Sequence, residues 1–530
     1  TVSGHATNFT VFKASNGTIA LNQENADELL NTQGKRSGGT AKGAGVELGN
    51  NAVLDIPGDL RGKATPGKEG AEATYAAFNA NNITKHTGSP ESDMISFSGT
   101  GNTVIANNAH LAGDSLQIGA GNTLATRQAL TLDSTVKGID AALDQARNLL
   151  AAAQGGDADS SASPDAPAKA VEFQLRNGTV SVGTALKTNV KDQILSVTHD
   201  ESTSATLELG QASLGKDRFG QLTQSGSAGV LASHSDFGEA KAGSVDMAMK
   251  LDGLSDQQKA ALKVKYGTWN AQDITAVGHA DIVIGTDIDG LSPDKIKYGE
   301  GGNPVLNAKT VTLADGTSVV VNSVGSGSFD KLDMKKGTVD VAGKLHAGQL
   351  NMADGSNYNV TGNATANSMT MESGSTVTVS GAGNMVVAQA GDGKADGTQY
   401  AFNSKDGSAI NVTGHRANFT IGAKGLDGLK LDDKDGNIDS GNQYAQNVTL
   451  ASGGTLTLGF ESGTKLSSQD LINLKKEFLK GYSGAGSKVD GALDIGKAVL
   501  TDIGDVIKDG RADWNELEQY VSAGSLDGVI

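Results

Sequence analysis

The sequence contains no cysteine, and only 4% of its 530 residues are aromatic. The absence of cysteine excludes thiol catalysis, cysteine-based metal sites and disulfide bonds together. In a chain of this length it favours export, because a protein that crosses a membrane unfolded gains from having no disulfide that could form too early. A compact enzyme would normally carry more aromatic residues, so their scarcity favours a repeat array with a narrow aliphatic core.

Long apolar runs and basic runs are also missing. No apolar stretch reaches the length of about 18 residues that a transmembrane helix needs. The formal net charge is −17, and no cluster of lysine and arginine would attract nucleic acid or an anionic lipid surface. We therefore expect neither a transmembrane segment nor a nucleic-acid partner. Residues 1–4 already resemble the rest of the chain, and we expect the sequence to be a mature or excised segment without its targeting sequence.

Glycine is abundant, with 72 residues, and it closes a pattern that recurs between Ala308 and Gly459. Two alternating apolar positions precede a turn with Gly, and a second alternating pair follows. The copies begin Val311-x-Leu313-x-x-Gly316, Leu332-x-Met334-x-x-Gly337, Leu350-x-Met352-x-x-Gly355, Met369-x-Met371-x-x-Gly374 and Val448-x-Leu450-x-x-Gly453. Alternation with period two predicts a strand with one buried face. A strand pair that recurs about every 20 residues predicts stacked repeats of a parallel β-helix.

We therefore expect an all-β fold, an elongated right-handed parallel β-helix with helical insertions and an α-rich C-terminal segment. Looser repeats extend it into the first half, where Gly99-Thr100-Gly101-Asn102 returns as Gly119-Ala120-Gly121-Asn122 and, later, near Asn384. The expected domains are a β-solenoid over 1–130, a helical insertion and flexible loop over 131–170, a β-solenoid over 171–250, an insertion with a short helix over 251–300, regular repeats over 301–465, and an α-helical cap or spacer over 466–530.

Five segments carry helical signals. Apolar residues from Ile139 to Leu150 share one helical face. Ser255 and Gln258 form a capping-box signal ahead of a short helix that ends near Tyr266. After Ser468, the residues Leu471, Leu474 and Phe478 predict a capped helix that ends at Gly481. Further helix is expected from Leu493 to Val506 and from Asp513 to Val521.

One segment resembles a calcium loop. Asp505, Asp509, Asp513 and Glu516 occupy positions one, five, nine and twelve of an EF-hand loop, between two expected helices. Ile507 stands at the third position, where calcium needs a side-chain oxygen, so a capped helix-turn-helix without metal explains the segment more simply. No other cofactor is expected.

A second short motif points to catalysis. Residues 113–116 spell the nucleophile block of the GDSL esterases, with Ser115 as the nucleophile. That family also needs an Asp three residues before a catalytic His, and none of the eight histidines has one. We expect no catalytic residue and no enzymatic activity.

The repeats also suggest a family. The phrase Asn367-Ser-Met-Thr-Met-Glu-Ser-Gly-Ser-Thr-Val-Thr-Val379 resembles passenger domains of Gram-negative autotransporters and related large surface adhesins. This resemblance implies a secreted, outer-membrane-displayed rod that mediates adhesion or cell–cell self-association. Its partner would be a host or bacterial surface ligand, or another copy of itself. The alternative is a self-assembling structural subunit of an extracellular filament, surface layer or phage fibre.

Overall fold

The structure is a computed structural model that describes residues 12–31, 45–68, 71–85, 94–135, 171–190, 193–200, 202–210, 214–216, 222–224, 248–253, 259–287, 292–296, 298, 301–389, 400–427, 429, 444, 446–483, 487, 489–501, 507–508 and 511–512. The chain divides into two units. The first comprises Thr1–Ile274 with Lys297–Gly302, and the second comprises Thr275–Ile296 with Asn303–Ile530.

Most elements are strands. The first unit contains β1 (Phe12–Ala14), β2 (Thr18–Ala20), β3 (Val46–Leu48), β4 (Val53–Ile56), β5 (Ala64–Thr65), β6 (Thr74–Tyr75), β7 (Phe78–Asn79), β8 (Ile83–Lys85), β9 (Ile95–Phe97), β10 (Thr103–Ala106), β11 (Ala109–Gly113), β12 (Ser115–Gln117), β13 (Thr123–Thr126), β14 (Ala129–Ser134), β15 (Val171–Arg176), β16 (Gly178–Val182), β17 (Ala185–Lys187), β18 (Gln193–Thr198), β19 (Ala205–Leu209), β20 (Leu214–Lys216), β21 (Leu222–Gln224), β22 (Ala248–Gly253) and β23 (Ala260–Val264). Strand β24 (Thr268–Gly278) begins in the first unit and ends in the second.

The second unit contains β25 (Ala280–Ile284), β26 (Val305–Leu313), β27 (Ser318–Val321), β28 (Ser326–Met334), β29 (Thr338–Val341), β30 (Lys344–Met352), β31 (Asn357–Val360), β32 (Asn363–Met371), β33 (Thr376–Ser380), β34 (Asn384–Val387), β35 (Ala401–Ser404), β36 (Ala409–Thr413), β37 (Asn418–Gly422), β38 (Val448–Ala451), β39 (Thr455–Gly459), β40 (Lys465–Leu466), β41 (Ala492–Asp494), β42 (Val499–Leu500), β43 (Ile507–Lys508) and β44 (Arg511–Ala512). The helices in the described residues are α1 (Gln23–Asn31), α2 (Ser468–Phe478) and short 3₁₀ helices at Ala80–Asn82, Pro293–Lys295 and Ala423–Leu426.

Parallel pairing builds three sheets in the first unit. Sheet I has the order β1-β3-β9-β8-β12-β15-β18-β22, sheet II the order β2-β4-β10-β13-β16-β19-β23, and sheet III the order β7-β11-β14-β17. The chain visits them in turn: β10, β11 and β12 lie in sheets II, III and I, and β13, β14 and β15 follow in the same order. In sheet II, Val104 lies beside Leu124, then Val180 and Leu207, and these side chains are buried. Successive repeats thus stack a column of aliphatic side chains, as the period-two pattern requires.

The second unit contains two sheets that are also built by parallel pairing of successive repeats. Sheet IV begins with four strands of nine residues, β26, β28, β30 and β32, paired in parallel without a change of register. In each of them two neighbouring residues in the middle, such as Lys309 and Thr310, are not buried, so the alternation changes phase there. After β32 the two halves separate, because β34 pairs with its first half and β35 with its second. Sheet V has the order β25-β27-β29-β31-β33-β36-β38 and is also parallel.

The first four copies of the sequence pattern are confirmed as parallel strand pairs. Their first apolar pairs lie in the second halves of β26, β28, β30 and β32, and their second pairs lie in sheet V. The fifth copy is not equivalent to them. Val448 and Leu450 lie in sheet V beside Ile410 and Val412, and the pair that follows lies in β39 of sheet IV. The pattern is the same because every strand buries alternate residues, whichever sheet it joins.

The glycine of the pattern marks a left-handed turn in most copies. Gly316, Gly355 and Gly374 have φ values of 76°, 75° and 81°. In the second copy the turn is one residue shorter, and Lys336 takes the left-handed conformation with φ 68°. Gly337 is needed there for close packing, because a Cβ on it would lie 2.6 Å from the Cβ of Leu313.

Two helix predictions are wrong. Ala260–Val264, where a short helix was expected to end near Tyr266, forms β23 and pairs in parallel with β19. Four of its five residues, all except Lys263, are buried in the stack, and this burial outweighs the capping signal before it. Residues 492–494 and 499–500, expected as helix, form β41 and β42. The helical interpretations of 139–150 and 513–521 lie outside the described residues.

The helix expected after residue 467 is confirmed as α2. Ser467 is its N-cap: its Oγ accepts a hydrogen bond from Asp470 N at 3.1 Å, and its own N donates to the Asp470 carboxylate at 2.7 Å. The buried side of α2 meets the core through aromatic rings. Phe478 lies 4.6 Å from Tyr444, and Tyr444 lies 6.0 Å from Phe402, measured between ring centroids. The helix therefore covers apolar side chains of sheet IV.

Candidate functional site

Four neighbouring strands of sheet IV carry an array of mostly neutral polar side chains. We call it the neutral face, and it comprises Asn363, Thr365, Asn384, Val386, Asn418, Thr420, Thr455 and Thr457. These residues stand at matching positions of β32, β34, β37 and β39, so each lies beside its counterpart on the next strand. Apart from Val386, every member carries a hydroxyl or an amide group, and none is charged.

The strand geometry fixes the spacing of these groups. Neighbouring strands lie about 4.8 Å apart, and residues two positions apart on one strand lie about 6.6 Å apart on the same side. Hydrogen bonds hold part of the array: Asn418 Nδ2 donates to Thr420 Oγ1 at 3.0 Å, and Thr457 Oγ1 donates to Asn418 Oδ1 at 3.0 Å. Thr365 and Asn363 are exposed. Such a surface offers many weak contacts at regular intervals.

This face was not predicted from the sequence. Its inward residues on β32 are Ala364 and Ala366. Small residues of this kind do not mark a strand by hydrophobicity. The signal that would have found the face is polar: Asn-x-Thr occurs at 363–365 and 418–420, and Thr-x-Thr at 455–457.

A second cluster surrounds Asp133 on sheet III. Its carboxylate lies 2.6 Å from His110 Nε2 and accepts hydrogen bonds from the backbone N and the Nδ2 of Asn189, at 2.7 and 3.1 Å. Burial alone would raise the pKa of Asp133, but these hydrogen bonds outweigh it and lower the pKa below the usual value. Because His110, Asp133 and Asn189 come from three successive repeats, the cluster ties the repeats together.

The His110–Asp133 pair is also part of what a catalytic triad needs. Within the residues that the structure describes, no hydroxyl group is hydrogen-bonded to His110. Ser115, the nucleophile of the esterase-like motif, lies on β12 of sheet I beside Gln174, whereas the pair lies on sheet III. The geometry does not bring the motif serine to the imidazole.

The calcium prediction lies outside the described residues, because Asp505, Asp509, Asp513 and Glu516 are not among them. Between these positions, Ile507–Lys508 pairs antiparallel with Arg511–Ala512 as β43 and β44. In the described part of the chain, no group of three or more His, Asp or Glu side chains is placed to hold a metal ion.

Neither of the two described α-helices is long and apolar enough to cross a membrane. No family model matches the chain, and no curated protein and no solved structure matches it.

Proposed function

We propose that this chain is a non-enzymatic, secreted bacterial surface protein whose repeats wind into a closed right-handed parallel β-helix. Its role is adhesion to a host or bacterial surface ligand, or self-association between cells. Two observations support the proposal: the resemblance of the repeats to autotransporter passengers, and the stacking of those repeats in parallel register. The main support is the neutral face, because it supplies a regular contact surface that a packed core alone does not require.

The chemistry of the neutral face suits a broad and shallow contact. Hydroxyl and amide groups both donate and accept hydrogen bonds, so each position matches a wide range of polar partners. Each bond contributes only about 1 kcal/mol net, because it replaces a bond to water. An array of them supports binding that depends on the number of aligned contacts rather than on one pocket.

Adhesion of beads coated with the full chain to bacterial or host cells tests this proposal. Thr420→Lys places a charge within the neutral face and should weaken adhesion at least about tenfold, since the ammonium group must be desolvated without a partner. The matched control is Thr378→Lys, the same change at an outward position of sheet V, which should leave adhesion unchanged. Equal adhesion by both variants and the wild type would remove the neutral face from the mechanism.

A self-assembling structural subunit is the second candidate. The observation that favours it is the self-similarity of the neutral face, whose positions repeat at the strand spacing and so match a second copy of the face. Size-exclusion chromatography and negative-stain imaging of the purified chain distinguish the two candidates. Ordered polymers that dissociate in the Thr420→Lys variant would favour assembly, and a monomer that still binds cells would favour adhesion.

A further inference from the structure

The tripeptide Asn-Gly-Thr occurs twice, at 16–18 and at 177–179, and Asn-Gly occurs nowhere else in the sequence. Asn16 and Asn177 have nearly the same left-handed backbone, with φ values of 53° and 57°. Both stand where the chain enters a strand of sheet II, β2 or β16. The two sites therefore share their local sequence and conformation and differ in their surroundings.

Asn16 lies in an open turn. Asn16, Gly17 and Thr18 are all exposed. The hydrogen bond to the Asn16 side chain is long: Asn51 Nδ2 donates to Asn16 Oδ1 at 3.4 Å. A Cβ placed on Gly17 would meet only Ser15 O, at 3.8 Å. The Asn16 side chain thus has room to rotate towards the backbone that follows it.

Asn177 is buried, and both ends of its side-chain amide are hydrogen-bonded. It is 4% exposed, its Nδ2 donates to Asp200 Oδ2 at 2.6 Å, and its Oδ1 accepts from Asp200 N at 2.8 Å and from the Thr203 hydroxyl. The backbone N of Gly178 donates to Ser204 O at 2.8 Å. A Cβ on Gly178 would lie 2.5 Å from a backbone oxygen, so the backbone around Gly178 is closely packed.

We propose that Asn16 is a site of spontaneous deamidation in the folded protein and that Asn177 is protected from it. The backbone N of Gly17 attacks Cγ of Asn16 and forms a C–N bond, while the side-chain amide leaves as ammonia and carries away the Gly17 amide proton. Water then opens the cyclic imide at one of its two carbonyls. The product is aspartate, or isoaspartate when the main chain continues through the side-chain carbonyl.

The reaction changes the first corner of sheet II. It adds a carboxylate beside Asn51 to a chain that is already acidic. Isoaspartate also inserts a methylene into the main chain, at the residue whose N donates to Asn50 O at 2.7 Å. The modified fraction at Asn16, in the first described repeat, would therefore increase with the time since the molecule was made.

Peptide mapping by mass spectrometry, after incubation of the full chain at mildly alkaline pH, tests the proposal. We expect Asn16 to convert at least about tenfold faster than Asn177, because Asn177 must first break buried hydrogen bonds. In guanidinium chloride the two rates should converge, since the local sequences are the same. Gly17→Ala should slow conversion at residue 16 in both conditions by crowding the attacking nitrogen.

Two results would overturn the proposal. Equal rates at the two sites in the folded chain would show that the bonds around Asn177 give no protection. A tenfold difference that persists in denaturant would show that the residues flanking the tripeptides, rather than the fold, decide the rate.

Discussion

Replacing Asn102 by Ala should destabilise the first unit more than any exposed substitution in the same motif. Asn102 is fully buried at the corner between sheets I and II. Its Oδ1 accepts from Ala52 N at 2.8 Å, and its Nδ2 donates to Gly49 O and, at 3.1 Å, to Asn122 Oδ1. The Asn102 side chain thus serves as hydrogen-bond partner to two backbone groups of the preceding repeat. It also pairs with Asn122, the equivalent residue of the following repeat.

The structure sets the magnitude of this effect. Asn102→Ala leaves two backbone groups, Ala52 N–H and Gly49 C=O, without their partner. Each orphaned group costs about 1–3 kcal/mol, so we expect the free energy of unfolding to fall by about 2–6 kcal/mol. Asn384→Ala is the matched control from the looser copy of the motif. Asn384 is only half-buried and accepts one long bond, 3.4 Å from Asn418 Nδ2, so its loss should cost under about 1 kcal/mol.

Hydrogen exchange measured by mass spectrometry separates the two units, where a single unfolding midpoint would mix them. Peptides that cover β4 and β10 should lose protection in Asn102→Ala and keep it in Asn384→Ala. Equal losses in both variants, or none in either, would refute the claim that the buried amides support this corner.

Three further predictions concern single side chains. Lys336→Gly should raise the free energy of unfolding by about 1 kcal/mol, because lysine is strained at positive φ; a lower urea midpoint would contradict this. Hydrogen bonds lower the pKa of Asp133, so its stabilisation is present above pH 3.8 and is lost as pH falls through the lower folded value; Asp133→Asn should remove that part of the acid transition in a circular-dichroism titration. Burial lowers the pKa of Lys475, so the folded state binds this proton less tightly and stability should rise as pH climbs from the folded value to 10.5; the rise should be absent in Lys475→Met.

The sequence predicted the strands whose inward residues are large. Val311, Leu332 and Leu350 alternate with polar residues and mark their strands clearly, and the structure stacks them in register. The first half of β32 was missed, because its inward residues Ala364 and Ala366 give little hydrophobic contrast. Alternation also carries no information about which sheet a strand joins, so the fifth copy could not be assigned to its place in the repeat.

Helices and polar contacts were harder to predict for a different reason. Helix α1 has only nine residues, and its buried positions include Asn25, so its apolar stripe is short. The pairing of Asn102 with Asn122 depends on the length of the intervening repeat, which decides whether two distant turns lie side by side. The motif repetition pointed to that corner, but burial of the amides is a property of the stacked repeats and not of either turn alone.

Parallel stacking of successive repeats is the central claim, and engineered cysteines test it most directly because the chain has none of its own. Asp340 and Asn359 lie opposite each other on β29 and β31, and Asn359 Nδ2 donates to Asp340 Oδ1 at 2.8 Å. Their strands are about 4.8 Å apart, within the range of a disulfide, whereas Asp340 and Asn357 are offset by two residues and lie about 8 Å apart. The account predicts that oxidation links Asp340→Cys to Asn359→Cys and fails to link Asp340→Cys to Asn357→Cys. Efficient linkage of the offset pair, with none in the opposed pair, would contradict it.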